Sequence, residues 1–256
     1  MRHILLIHGA WQGAWAWDLL IPELESYNFK CYPVDMPGNG NGSDKTPPEQ
    51  VSLDLYMDFL SRQLDEIANR VIVVGHSSGG IIASQLAENE PDRVSGLIYI
   101  SGMMLPNGMA YSDIVEELLP EHPEVVGIIP YLNWSSDGET STIAEGAAQK
   151  ILFQDCPLGI ANKAADKLKR HPQRGRAIRP SLTCPRFGLI PRAYIEANLD
   201  KSIVLVAQMR MQELVPGAAR YGISTGHTPQ LSDPRKLATI IHKAVQGFEQ
   251  NNAEIN

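Results

Sequence analysis

Six short runs rich in apolar residues punctuate the chain, and amphipathic stretches separate most of them. Residues 3–7 (His-Ile-Leu-Leu-Ile), 29–34, 71–74 (Val-Ile-Val-Val), 94–101, 192–197 and 218–223 read as strands. The least interrupted of them have the pattern expected of parallel strands buried on both faces. Between them, residues 51–68 place Val51, Leu53, Leu55, Tyr56, Phe59, Leu60, Leu64 and Ile67 at broadly helical spacing. Helices are also expected over 15–26, from the turn after residue 76 to Asn89, over 203–214 and over 234–248, the last opened by Asp233 and Pro234. Up to residue 101 strands and helices alternate regularly, which predicts a parallel sheet with helices on both faces.

From about residue 103 to 185 the alternation breaks. Eight prolines (106, 120, 123, 130, 157, 172, 180 and 185) interrupt short amphipathic pieces at 112–119 and 161–168. A long irregular insertion at the carboxyl edge of a parallel sheet is most simply a cap over a site. The expected organisation is a core of residues 1–102 and 186–256 with a cap of 103–185. Residues 125–131, Trp134 and 151–153 either roof a hydrophobic pocket or form the cap's own small core. Its latter half is basic, with Lys163, Lys167, Lys169, Arg170, Arg174, Arg176, Arg179, Arg186 and Arg192. Such a run reads as a solvated face or a subunit contact, as in a homodimer, or else as an anion-attracting rim.

Composition narrows the partners. The 256 residues carry a formal charge of −7, with an isoelectric point near 5.5, which argues against nucleic acid and anionic membrane surfaces. The chain opens directly on a strand, without a charged leader, and no apolar run is long enough to span a bilayer. Cys31, Cys156 and Cys184 form no metal motif, and three cannot all pair. Reduced thiols in a cytoplasmic protein are expected. The Gly-Asn-Gly-Asn-Gly run at 38–42 lacks the Lys-Ser/Thr of a phosphate-binding loop, and no helix opens directly behind it.

The candidate chemistry sits at Gly75-His76-Ser77-Ser78-Gly79, between an apolar strand and an apolar helix. A turn this sharp strains its apex residue, and small neighbours make room for it. It lifts the Ser77 hydroxyl off the sheet edge and leaves the Ser78 N–H at a helix start. The loop after the first strand, His8-Gly9-Ala10-Trp11, supplies a second backbone donor at Ala10. Of seven histidines, only His227 sits in a loop after a late strand. His8 and His76 adjoin the site and read as supporting hydrogen-bond partners. Asp200 leaves the preceding strand at the same edge, whereas Glu196 falls inside a strand and Glu213 inside a helix. These residues predict nucleophilic ester hydrolysis. His227 takes the Ser77 proton, Asp200 orients the imidazole, Ala10 and Ser78 hold the oxyanion, and water releases an acyl-serine. No metal or organic cofactor is implied. Trp11, Trp134, Phe153 and Thr228 are candidates for the pocket wall.

With those residues assigned, nearly the full length resembles the plant methylesterase and hydroxynitrile lyase branch of the α/β-hydrolases, with its bacterial esterase relatives. Residues 8–15 resemble that branch's oxyanion loop. Residues 75–80 resemble its elbow, where Leu more often stands at position 78. Residues 153–156 are similar to a cap motif, 200–203 to the acid segment, and 226–227 with 231–234 to the terminal motif. The resemblance implies an α/β-hydrolase fold: a mostly parallel six-stranded sheet, helices on both faces and an inserted cap. It also implies a serine carboxylesterase acting on small methyl or similar esters with an apolar or aromatic acyl part; lactones and pyrethroid-type esters stay open. The lyases of this branch have Thr or Asn where Gly9 stands, and the (S)-selective ones have Lys where Thr228 stands. Both departures argue against cyanohydrin cleavage. A non-catalytic small-ligand binder on the same scaffold is the remaining alternative.

Overall fold

A computed structural model describes residues 1–39, 45–67, 69–173 and 177–255. Six strands, β1 (Arg2–Ile7), β2 (Phe29–Val34), β3 (Val71–His76), β4 (Val94–Ile100), β8 (Arg192–Ala197) and β9 (Ala218–Ile223), form one parallel sheet. Their order across it is β2-β1-β3-β4-β8-β9. Three further strands, β5 (Leu132–Trp134), β6 (Thr140–Ile143) and β7 (His171–Pro172), form a small antiparallel sheet in the insertion between β4 and β8. The helices are α1 (Ile21–Ser26), α2 (Leu53–Ile67), α3 (Gly79–Asn89), α4 (Tyr111–Leu118), α5 (Ala147–Ile151), α6 (Leu158–Lys167), α7 (Leu205–Leu214), α8 (Pro229–Ser232) and α9 (Pro234–Ile255).

The period of two along each strand divides the core into two layers. Leu5, Ile7, Val71, Val73, Leu97, Tyr99 and Tyr194 face α2, α3 and α7. Their neighbours Ile4, Leu6, Ile72, Val74, Ile98, Ile100, Ala193 and Ile195 face α1 and α9. On α2 the buried face is Tyr56, Met57, Leu60, Leu64 and Ile67. Each such side chain contributes roughly 1.5–3 kcal/mol when removed from water, which is an upper value. Pro33 is tolerated in β2 because that strand lies at the sheet edge, where one missing donor costs no ladder bond.

Three local features differ from the sequence pattern. The single helix expected over 15–26 is a 3₁₀ turn (Ala14–Trp17) followed by α1. Pro22 lies in the first turn of α1, where its ring and missing N–H prevent a continuous helix from running into it. The helix expected to end at 248 runs on to Ile255. The antiparallel sheet of the insertion is absent from the sequence reading. Its strands have only three, four and two residues, too short for an alternation to register. Asp137-Gly138, with Gly138 at φ +72°, turns the chain between β5 and β6.

The described residues of the basic run are tied mostly into the protein itself. Arg179 forms a bidentate pair with Asp113 at 2.6 and 3.0 Å, and Lys167 lies 3.6 Å from Asp18. Arg186 donates to the carbonyls of Glu88 and Asn89, and Arg192 to those of Phe187, Ile190 and Pro216. Arg174 and Arg176 lie outside the described residues, as do positions 40–42 of the glycine-asparagine run. Among the described residues no helix is long and apolar enough to cross a membrane.

Candidate active site

The turn between β3 and α3 is built on strain. Ser77 has φ +53°, a conformation that costs a non-glycine residue about 1–3 kcal/mol unless its surroundings impose it. They do so through three backbone bonds. The Ser77 N–H donates to the Ile100 carbonyl at 3.2 Å, and the Ser77 carbonyl accepts from Gly80 at 3.0 Å and Met103 at 2.9 Å. The turn closes only because its flanks lack side chains. A Cβ at Gly75 would lie 2.6 Å from the Gly79 carbonyl oxygen, and one at Gly79 would lie 2.6 Å from that of Ile7.

Asp200 and His227 leave β8 and β9 on loops that are themselves laced together, the Leu199 N–H donating to Thr225 O at 3.0 Å. His227 Nδ1–H donates to Asp200 Oδ2 at 2.7 Å, with both side chains buried. The other carboxylate oxygen accepts the N–H groups of Ser202 (2.7 Å) and Ile203 (3.0 Å). With its proton on Nδ1, the neutral ring keeps a lone pair on Nε2. Ser77 and His227 border the same small pocket, together with Gly9, Ala10, Trp11, Gln12, His76 and Leu152. Among the described residues no hydrogen bond joins Ser77 Oγ to His227. The rival carboxylates are spent elsewhere, Glu196 on Arg220 at 2.7 Å and Glu213 on Arg210 at 3.1 Å.

Two histidines support the centre. Buried His76 donates its Nε2–H to the His227 carbonyl at 2.8 Å, and its Nδ1 lies 3.1 Å from Gln12 Oε1, a contact that becomes a hydrogen bond when the Gln12 amide is turned to donate its N–H. Burial and the adjacent His227 push its pKa well below the ordinary histidine value, so it stays neutral. His8 is also lowered by burial. It donates Nδ1–H to the Gly9 carbonyl at 2.8 Å, and its Nε2 accepts the Met36 N–H at 3.2 Å.

The loop after β1 is held from the insertion. Trp11 has φ +63°, an outlier for a bulky residue. Its indole N–H donates to Ser141 Oγ at 3.2 Å, and its carbonyl accepts the Lys169 N–H at 2.9 Å. Among the described residues the N–H groups of Ala10 and Ser78 have no protein acceptor. Both residues line, with Ser77, a cavity of about 310 Å³.

That cavity is mainly apolar, with Met103, Val126, Ile128, Ile129, Trp134 and Ile203 on its walls. Trp11 and Trp134 line it, but Phe153 and Thr228 do not, and the expectation for those two is corrected. Phe153 is 1% exposed and packs inside the insertion against Leu152, Ala148 and Ala161. Thr228 is fully buried with its hydroxyl donating to the Leu152 carbonyl at 2.8 Å. The sequence reading missed Met103, Tyr111 and Ile203 as wall residues. Met103 opens the insertion and Ile203 ends the acid segment 200–203, so their place along the chain was the available signal.

The sequence profile of the alpha/beta hydrolase family matches residues 4–240. The chain is 27% identical to a pyrethroid hydrolase of Sphingobium wenxiniae, over 93% of this chain and 85% of that one. It is 24% identical to methylesterase 17 of Arabidopsis thaliana, over 94% of this chain and 91% of the relative. The crystal structure of a pyrethroid hydrolase from Sphingobium faniae superposes with a TM-score of 0.82 at 23% identity, covering 94% of this chain and 96% of the other. The strand order, the elbow at Ser77 and the profile match over nearly the whole sequence agree: this chain belongs to the alpha/beta hydrolase family.

Proposed function

We propose that this protein is a serine carboxylesterase that hydrolyses small esters with an apolar or aromatic acyl part. The observation that carries this reading is that a strained Ser77 borders the same small pocket as His227, whose imidazole is paired with buried Asp200. In this reading His227 Nε2 takes the Ser77 proton as Oγ attacks the ester carbonyl. Asp200 holds the tautomer and stabilises the imidazolium. The carbonyl oxygen turns toward the Ala10 and Ser78 N–H groups, each such donor contributing roughly 10²–10³ in rate. The alcohol leaves with the proton from His227. Water then attacks the acyl carbon as it gives a proton to the same nitrogen, and His227 returns that proton to Ser77 Oγ as the acid is released.

The cavity supports the proposed substrate class. Its walls are mostly aliphatic and aromatic, with Gln173 and Arg179 among the polar members, so an apolar acyl or alcohol group gains by burial, at about 25 cal/mol per Å² of apolar surface. Ile129, Tyr131 and Trp134 are 40–45% exposed around residues of this wall, an apolar surface suited to collecting such esters. The insertion serves as a cap. Relatives named as a pyrethroid hydrolase and a methylesterase support ester chemistry. Three free thiols suit a reducing, cytoplasmic setting.

The test is a matched panel of p-nitrophenyl acetate, an aryl-acid methyl ester, a lactone and mandelonitrile, each with wild type and Ser77→Ala. Ester turnover that vanishes with Ser77 is expected. Cyanide release from mandelonitrile alone would instead make the protein a lyase.

A further inference from the structure

One four-residue stretch of the cap touches both loops of the proposed acid–base pair. Gln154 Nε2–H donates to the carbonyl of Leu199, the residue before Asp200, at 2.7 Å. The N–H of Gly226, the residue before His227, donates to Asp155 Oδ2 at 2.6 Å. The hydroxyl of Thr228, the residue after His227, donates to the Leu152 carbonyl at 2.8 Å. These contacts span 45, 71 and 76 positions of sequence, so they are tertiary choices and not consequences of a local turn. The stretch is anchored from behind by Leu152 and Phe153, which are 2% and 1% exposed in the cap's apolar core. That core also includes Ala10 and Trp11.

Gly226 shows how close the approach is. A Cβ there would collide with Gln154 Nε2 and would lie 2.6 Å from Asp155 Oδ1. A side chain at position 226 would therefore displace the ends of Gln154 and Asp155 that make these contacts. On its other side His227 is held through its carbonyl by His76. The base is thus fixed by two partners that have no part in the proton transfer.

We propose that residues 152–155 brace the acid and base loops against each other, with Gln154 and Asp155 as positioning residues for Asp200 and His227. The proposal rests on the roles given to Asp200 and His227 above. It makes the cap a fixed part of the catalytic apparatus, because lifting it would release Leu199, Gly226 and Thr228 together. Substrate then enters past Ile129 and Trp134 with the cap in place.

The experiment uses the full chain, p-nitrophenyl acetate and three variants. Asp155→Ala removes the acceptor of the Gly226 N–H, Asp155→Asn keeps an amide oxygen that accepts it, and Gln154→Leu removes the donor to Leu199. Displacements near 1 Å at a reacting group cost about 10²-fold. Asp155→Ala is expected to lower kcat by about 10- to 10²-fold with KM unchanged. Gln154→Leu should show the same split to a lesser degree, and Asp155→Asn should restore most of the lost kcat. The low-field proton signal of His227 Nδ1–H should move or broaden in Asp155→Ala and stay in place in Asp155→Asn. Unchanged kcat and signal in both Asp155→Ala and Gln154→Leu would overturn the brace, and so would an Asp155→Asn variant as impaired as the alanine. If Asp155→Ala does not fold, Gln154→Leu decides alone. Ser77→Ala and Asp200→Asn run alongside. Full turnover in those two overturns the esterase site itself, whereas their loss of activity beside an unaffected Asp155→Ala and Gln154→Leu overturns only the brace.

Discussion

Replacing Asp200 by asparagine separates two tasks of one side chain. Oδ1 accepts two backbone N–H groups, from Ser202 and Ile203, while Oδ2 accepts the His227 Nδ1–H. Asparagine has one oxygen, and the two buried backbone donors claim it, since leaving them unpaired costs about 1–3 kcal/mol each. The amide NH₂ then faces His227 Nδ1 and donates to it. The ring must carry its own proton on Nε2, and no lone pair remains toward Ser77. Substitutions of this kind in a serine–histidine–aspartate arrangement lower kcat by about 10⁴-fold, which is about 5 kcal/mol of barrier. The fold should survive because the loop keeps its backbone partners, whereas Asp200→Ala strands both donors and should melt earlier. Steady-state hydrolysis of p-nitrophenyl acetate, with a melt of each variant, is the assay. An Asp200→Asn enzyme within about tenfold of wild type, or about 1.4 kcal/mol, refutes the tautomer reasoning.

Two further outcomes are expected. His8 and His76 have folded pKa values below the ordinary 6.5, so below that pH the unfolded chain binds more protons than the native one. Their contribution to stability is complete above about pH 6.5 and declines as pH falls below it, by up to about 1.4 kcal/mol per pH unit for each histidine. Denaturant melts between pH 7.5 and 5 should show this slope, and His76→Asn should flatten it; a flat wild-type profile contradicts the neutral assignment. Trp134→Ala opens the cavity wall and should raise KM for the aryl-acid methyl ester more than for p-nitrophenyl acetate, and an unchanged KM for the aryl-acid methyl ester removes Trp134 from the substrate surface.

Much of the fold was legible because the strands are buried on both faces and write themselves as apolar runs, from residues 3–7 to 192–197. The elbow was legible because strain at Ser77 demands small neighbours, which leaves a visible spacing of glycines. Asp200 and His227 were legible from their places after β8 and β9, not from any local pattern. The cap was not. Its strands are too short for periodicity, and its apolar residues serve two ends that look alike in sequence. Trp134 lines the cavity, whereas Phe153 packs the cap's own core. Nor does a sequence reveal that Thr228 turns its hydroxyl to Leu152, 76 positions away. That choice depends on which backbone carbonyl the folded cap leaves without a partner.

The central claim is an acyl group carried on Ser77. Rapid acid quench during turnover of a p-nitrophenyl ester, followed by mass spectrometry of the peptides, tests it directly. The account predicts an acyl mass increment on the peptide containing Ser77, and its absence together with turnover in Ser77→Ala. Sustained ester hydrolysis with no adduct on that peptide, and with undiminished activity in Ser77→Ala, would contradict it.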